Sequence, residues 1–295
     1  MKLKIQNLED NYLKIVLSGI PPSFVNTLRR VLIADVPKMA IEDVEFHLGP
    51  IRDSDGKEYE SISPLFDEII AHRLGLIPIP TDLSIFKYRS ECECSGEGCP
   101  NCTIMYNLNK KGPCTVYSGD LEPLGDSKFK IKEDLIPLVK LDKNQALLIY
   151  ATAELGKGKD HAKWQVSSGV GYKNYPEIEV NSNLCKDPEA CGTLCIESCP
   201  RDILELKNKK IVVKNNLEEC ILCNSCVEAC IQSQNTSGEG ANESAIKIIP
   251  DEEKFIFKFE TDGSITAKDA FEFTLNFLEE KFNDFRDQIS KLKET

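Results

Sequence analysis

The chain has 295 residues, 41% of them hydrophobic, and its 48 acidic against 36 basic side chains leave a formal charge of −12. That length suggests about two domains with real cores, and that apolar fraction excludes a disordered chain. The acidic balance excludes a general nucleic-acid clamp, because neutralising phosphates takes Lys and Arg. Little or no direct nucleic-acid contact is therefore expected. No stretch approaches 18 apolar residues, and the start Met1-Lys2-Leu3-Lys4-Ile5 lacks the apolar core of a signal peptide. No membrane span and a cytoplasmic location follow as expectations. Thirteen cysteines in a reducing compartment read as metal ligands rather than as a disulfide framework.

Residues 1–20 predict two short strands, with Leu3 and Ile5, then Leu13, Ile15 and Leu17, on a period of two. Gly19 and Pro21-Pro22 punctuate, and Ser23 is the expected N-cap of a helix that ends by Asp35 to Pro37. Phe24, Leu28, Val31 and Leu32 form its apolar face, with Arg29 and Arg30 near its middle. Residues 39–46 return to alternation through Met39, Ile41, Val44 and Phe46. A second helix is expected over 64–75, opened by Pro64 and closed by Gly75, followed by the turn Ile77-Pro-Ile-Pro80.

The first cysteine group is Cys92-Glu-Cys94, then Cys99-Pro-Asn-Cys102. Four soft ligands within eleven residues suit tetrahedral zinc, with Gly96 and Gly98 allowing the turn between the pairs. The alternative is a reduced, metal-free loop. Residues 103–150 predict mostly strands, broken at Gly112-Pro113 and Gly125, and Cys114 reads as a lone buried or free thiol. Gly156-Lys-Gly-Lys-Asp-His161-Ala-Lys163-Trp164 is a basic loop in an acidic chain. It lacks the G-x4-G-K-[ST] spacing of a phosphate loop.

Eight cysteines fall between 185 and 230. Cys220, Cys223, Cys226 and Cys230 have the C-x2-C-x2-C-x3-C spacing of bacterial ferredoxins, in which three thiolates wrap one [4Fe-4S] cluster and the fourth serves another. That rule pairs Cys220, Cys223 and Cys226 with Cys199 in a first cluster, and Cys185, Cys191 and Cys195 with Cys230 in a second. The upstream gaps of five and three residues depart from the pattern. A [3Fe-4S] form, or an empty oxidised site, is the alternative there, and zinc is the alternative for the downstream run. Between the two runs, 203–206 and 210–213 suggest a hairpin, and Gln232 to Ser244 reads by composition as a flexible linker. A strand is expected over Lys254–Phe259.

The tail carries a heptad seam: Phe271, Leu275, Leu278, Phe282, Phe285, Ile289 and Leu292 are spaced 4-3-4-3-4-3. As a helix it makes an apolar ridge about 33 Å long. A ridge of that kind packs on its own domain or pairs with another subunit. Short elements at both termini, with inserts between, suggest that the two ends build one domain.

Residues 24–46 (FVNTLRRVLIADVPKMAIEDVEF) resemble the α-like motif of RNA polymerase assembly subunits. Residues 67–78 (DEIIAHRLGLIP) resemble the second block of that family, and His161-Ala-Lys-Trp164 the third. The loop Cys92–Cys102 is similar to the zinc loop in the third-largest subunit of eukaryotic RNA polymerase II, and an iron–sulfur insert in this setting is similar to that of the archaeal members of the family. The resemblance covers nearly the whole chain. It implies an α+β fold in three parts. These are a discontinuous α-like dimerisation domain (1–46 and 251–295), an inserted mainly β domain (47–178 and 233–250) and a ferredoxin-like iron–sulfur domain (179–232). It also implies a non-catalytic scaffold that pairs with the small subunit L, recruits subunits N and P, and docks the second-largest subunit. The implied partner surfaces are Phe24, Leu28, Arg29 and Arg30 on the first helix and Phe271, Leu275, Leu278, Phe282, Phe285 and Ile289 on the last. His161, Lys163 and Trp164 would face the second-largest subunit. The rival function is a ferredoxin-like electron-transfer subunit of a redox complex. Against it, the chain has no G-x-G-x-x-G for a dinucleotide, and such a subunit would not need the seam. No catalytic constellation is recognisable around the three histidines.

Overall fold

The computed structural model of the chain describes residues 1–52, 55–185, 193–236 and 243–292. Strands β1 (Lys2–Leu8) and β2 (Tyr12–Ser18) precede helix α1 (Pro22–Ala34) and strand β3 (Pro37–Phe46). The short strands β4 (Ile51–Arg52) and β5 (Glu58–Tyr59) lead to helix α2 (Asp67–Gly75). Next come β6 (Thr103–Lys111), β7 (Cys114–Tyr117), β8 (Glu122–Pro123), β9 (Pro137–Leu141), β10 (Ala146–Lys157) and β11 (Ser167–Val180). Helix α3 (Leu194–Glu197), strands β12 (Leu204–Lys207) and β13 (Lys210–Val213) and helix α4 (Ser225–Thr236) form the cysteine-rich segment. Strand β14 (Ile246–Thr261) and helix α5 (Ala267–Leu292) complete this mixed α/β fold. Strands β1, β2, β14 and β11 lie in that order in one sheet.

The chain divides into two compact units. One comprises Met1–Ile5, Ile15–Val25 and Tyr172–Phe257; the other comprises Gln6–Lys14, Asn26–Gly171 and Lys258–Thr295. In the larger unit, β3, β10, β6 and β8 form an antiparallel sheet. Its inner face, with α2 and the loop after it, buries Met39, Ile41, Ile70, Leu74, Ile79, Tyr106, Leu108 and Ile149 in one core. The β3–β10 register explains an irregularity in the sequence pattern. Ala153 pairs with Ile41 and Thr152 with Asp43, so Glu42 is an extra, bulged residue. A bulge reverses which alternate residues face inward. Met39 and Ile41 before it, and Val44 and Phe46 after it, therefore all pack toward the same core.

In the smaller unit, β12 and β13 pair as an antiparallel hairpin, as the sequence suggests. Leu204, Ile211, Ala245 and Ile246 share a core with Cys195, Cys226 and Cys230.

Several expected boundaries move. Helix α1 starts at Pro22 rather than after Ser23, and Val25, not Phe24, is its first fully buried apolar residue. Helix α2 starts at Asp67, three residues after Pro64, with Phe66 in extended backbone as its N-cap and Asp67 and Glu68 in the dipole-favoured first turn. The polar stretch read as a linker from Gln232 is helical as far as Thr236. Ser233 within it is buried, and its hydroxyl donates to Cys230 O at 2.8 Å. The strand expected over 254–259 extends to sixteen residues. Among the described residues no helix is long and apolar enough to cross a membrane.

Candidate metal centres and partner surfaces

In the larger unit the sulfurs of Cys92, Cys94, Cys99 and Cys102 all lie within 4.8 Å of one another. Cys92–Cys99 is 3.5 Å, Cys94–Cys102 3.6 Å and Cys99–Cys102 3.8 Å. A single ion with four thiolates at about 2.3 Å in a tetrahedron sets its sulfurs roughly 3.8 Å apart. The donor set and spacing therefore fit one metal ion. The loop reaches this shape through three left-handed residues, Ser95, Gly96 and Gly98. Backbone donors, Gly98 first, draw the Cys94 thiol down to about 6, and burial pushes Cys102 up to about 12. Arg89 holds the loop in place. Its Nε donates to Gly96 O at 2.8 Å, while its guanidinium meets Glu154 of β10 at 3.3 Å and Asp43 of β3 at 3.5 Å. Cys114 stands apart, half-buried, its thiol directed to Lys111 O at 3.3 Å.

In the smaller unit Cys199, Cys220, Cys223 and Cys226 line one pocket with Ile178, Ile203, Leu204 and Ile248. The turn through Cys220, Cys223 and Cys226 puts Leu222 and Asn224 in left-handed backbone. Burial pushes the Cys226 thiol up to about 11, and the neighbouring Cys199, Cys220 and Cys223 add to that rise. Donors already point at two of the sulfurs: Ile203 N is 3.5 Å from Cys199 Sγ, and Ser225 Oγ is 3.3 Å from Cys223 Sγ. The Ser225 bond lowers the Cys223 thiol. Among the described residues only the Cys92–Cys102 group has three or more ligand atoms within 4.8 Å of one another. Four thiols around an apolar lining are the donor set that iron–sulfur groups take. Cys195 and Cys230 are buried in the same core, and Cys185 packs against it. Cys230 lies one helical turn after Cys226 on α4. Cys191 lies outside the described residues.

The larger unit also brings together two sequence blocks about ninety residues apart. A cleft of about 600 Å³ is lined by Ala71, His72, Gly75 and Leu76 from α2 and its end, by Glu42 at the bulge, and by Asp160, His161, Lys163 and Trp164. Trp164 is buried, and its Nε1 donates to Glu154 O at 3.1 Å. A Cβ at Gly156 would stand 2.3 Å from the Trp164 ring, and one at Gly158 2.4 Å from Ile33 O. The two glycines of the basic loop thus serve close packing rather than phosphate binding. Lys163 crosses the Trp164 ring at 4.4 Å, donates to Ile41 O at 3.1 Å and pairs with the Glu42 carboxylate. Burial holds its ammonium below the usual lysine range. His161 is exposed, and its Nδ1 accepts from Lys163 N.

On α1, Leu28 is buried within the chain, Phe24 and Arg29 are half-buried, and Arg30 is exposed. Arg29 Nε donates to Asn26 Oδ1 at 3.1 Å. The seam of α5 divides: Phe271 and Leu278 are buried and Leu275 half-buried, whereas Phe282, Phe285 and Ile289 are exposed. Phe259 stacks on Phe271 at 6.4 Å.

Two contributors have no sequence signature: Arg89, and Lys173, which donates to backbone carbonyls at Cys220 and just before it. Their partners are distant in the chain, and lone basic residues in strands and loops carry no motif. Ser225 is within reach of sequence reasoning, since it lies inside the C-x2-C-x2-C run.

Residues 53–174 match the family model of the RNA polymerase Rpb3/RpoA insert domain. The chain is 43% identical to DNA-directed RNA polymerase subunit Rpo3 of Picrophilus torridus over 289 residues, 98% of this chain and all of that protein. It is 42% identical to the Rpo3 subunit of Thermoplasma volcanium over 291 residues, 99% of this chain and all of that protein. The Rpo3 subunit of Methanosphaera stadtmanae is 36% identical over 286 residues, 95% of this chain and 96% of its own.

Proposed function

The chain belongs to the family of archaeal DNA-directed RNA polymerase subunit Rpo3, and from that membership we propose that it is a non-catalytic assembly subunit, a platform on which other polymerase subunits are joined. The observation that carries the reading beyond family membership is the uncovered half of the α5 seam. Phe282 and Phe285 are each 62% exposed on a helix that keeps its apolar repeat. Apolar side chains in such a row are what a second helix buries. Its partner in this proposal is the small α-like subunit L. The surface L meets consists of Phe282, Phe285 and Ile289, because Leu28, Phe271 and Leu278 are already covered by the chain itself. Subunits N and P join the pair. The second-largest subunit docks at the cleft bearing His72, His161 and Lys163, with Arg29 and Arg30 of α1 facing the large subunits. The three-part division inferred from the family belongs to the same proposal: ends forming the dimerisation domain, a β insert, and a ferredoxin-like segment over 179–232.

In this proposal Cys92, Cys94, Cys99 and Cys102 hold zinc, which suits a closed four-thiolate site. Cys199, Cys220, Cys223 and Cys226 hold one [4Fe-4S] cluster, and Cys185, Cys191, Cys195 and Cys230 a second. When bound, these groups cross-link distant thiolates and so supply folding energy to a segment with a small apolar core. The electron-transfer alternative is not supported, because relatives that match nearly the whole chain are polymerase subunits.

Metal analysis and co-purification test the proposal. The anaerobically purified chain should contain about eight irons and about one zinc. Three or four irons would confine the reading to the first cluster. Cys220→Ser should remove about four irons and still pair with subunit L; loss of pairing would tie the clusters to assembly. A tagged chain should recover the large polymerase subunits, and recovery of redox proteins alone would overturn the scaffold reading.

A further inference from the structure

Lys173 lies in β11, in the smaller unit, and is half-buried. Its Nζ donates to Glu218 O at 2.7 Å and to Cys220 O at 2.8 Å. Those carbonyls bracket Glu219, at the end of the short helical turn Leu217–Glu219 that delivers Cys220 to the thiol-lined pocket. Hydrogen bonds from an ammonium are about twice as strong as neutral ones. Two of them from one nitrogen fix the peptide planes that set where the Cys220 sulfur points. The same turn has a second prop. Tyr175 lies two residues further along β11, on the same strand face. Its hydroxyl is 3.5 Å from Glu218 Oε2, and the Lys254 ammonium sits 3.6 Å from its ring centroid. The turn entering Cys220 is thus held from one strand face by a cation and a phenol. By contrast, Cys223 is exposed.

We propose that Lys173 is a positioning residue for an iron–sulfur cluster on Cys199, Cys220, Cys223 and Cys226. It clamps the backbone that presents Cys220 and places a fixed positive charge beside that ligand. The inference rests on reading those four cysteines as cluster ligands. A cluster gains negative charge when reduced, so a cation held nearby favours the reduced form and raises the potential. The clamp also resists the opening of the Cys220 turn through which iron would leave.

The test compares wild type, Lys173→Met and Lys173→Arg as full chains purified anaerobically. Iron and sulfide per chain, the midpoint potential of the cluster that disappears in Cys220→Ser, and the rate of iron loss to an iron chelator are measured. Methionine keeps an unbranched apolar stem and removes the charge and its donors. Lys173→Met should shift the reduction equilibrium about tenfold toward the oxidised form, about 59 mV for one electron, and lose iron several-fold faster. Lys173→Arg should bring both values back toward wild type. A folded Lys173→Met chain without a cluster, restored by arginine, also supports the role. Wild-type potential and iron-loss rate in Lys173→Met overturn it, as does an arginine variant as defective as the methionine one. Absence of Cys220-dependent iron from the wild-type chain would overturn the cluster reading and this inference with it. Iron present with an unmoved potential and loss rate would overturn the role of Lys173 alone.

Discussion

Phe271 and Phe285 sit two heptads apart at the same position of the α5 repeat, and they are 8% and 62% exposed. The first half of the helix has local cover. Phe259 stacks on Phe271, and Ala267, Ala270 and Thr274 are fully buried beside it. The second half keeps the same spacing of large apolar side chains, yet no cover from the described residues shields Phe282 or Phe285. A periodic apolar stripe thus marks a face that must be buried, while what buries it depends on the reach of neighbouring elements. One helix here is core at one end and carries an exposed apolar stripe at the other.

Three substitutions test that division, in decreasing order of expected effect. Phe271→Ala should cost about 3–5 kcal/mol of folding stability, as an aromatic lost from a core does. Urea unfolding of the isolated chain measures it, and a loss under about 1 kcal/mol would place Phe271 outside the core. Phe282→Glu should weaken pairing with subunit L at least about 100-fold, about 2.7 kcal/mol, because it puts a charge into an apolar contact. The unfolding midpoint of the isolated chain should not move. Undiminished pairing in a titration of the purified partners would show that this half of the seam is not the interface. Thr266→Ala should cost about 1 kcal/mol. The Thr266 hydroxyl accepts from Asp269 N at 3.1 Å and donates to the Asp269 carboxylate at 2.7 Å, closing the first turn of α5. An effect on unfolding without one on pairing would confirm that the helix start belongs to the core half.

Much of this is legible in the residues, wherever the determinants are local. Cys92 to Cys102 bring all four sulfurs from one short loop, and two of its left-handed positions fall on Gly96 and Gly98, the residue type such backbone favours. The α5 helix and the β12–β13 hairpin also follow from periodicity and turn residues. What is not legible depends on distant partners. The three-residue step from Ile41 to Val44 looks like a fault in the alternation until β10 supplies the register that makes Glu42 a bulge. Helix α4 runs on from Gln232 to Thr236 and buries Ser233, which composition does not reveal. Arg89 and Glu154 are 65 residues apart, and Lys173 and Cys220 are 47 apart. No spacing rule connects such pairs.

The tie made by Arg89 has a thermodynamic consequence. Its bond to Gly96 O fastens the cysteine loop to side chains on β3, an edge strand of the larger unit's sheet, and on β10, the strand next to it. An ion that binds the folded loop and not the unfolded chain adds its binding free energy to folding, about 4.1 kcal/mol at a thousand times its dissociation constant. Because the loop is fastened to the sheet, that linkage extends to strands that touch no metal. With an ion held there, the stability of the fold would vary with the chemical potential of that ion in the surroundings.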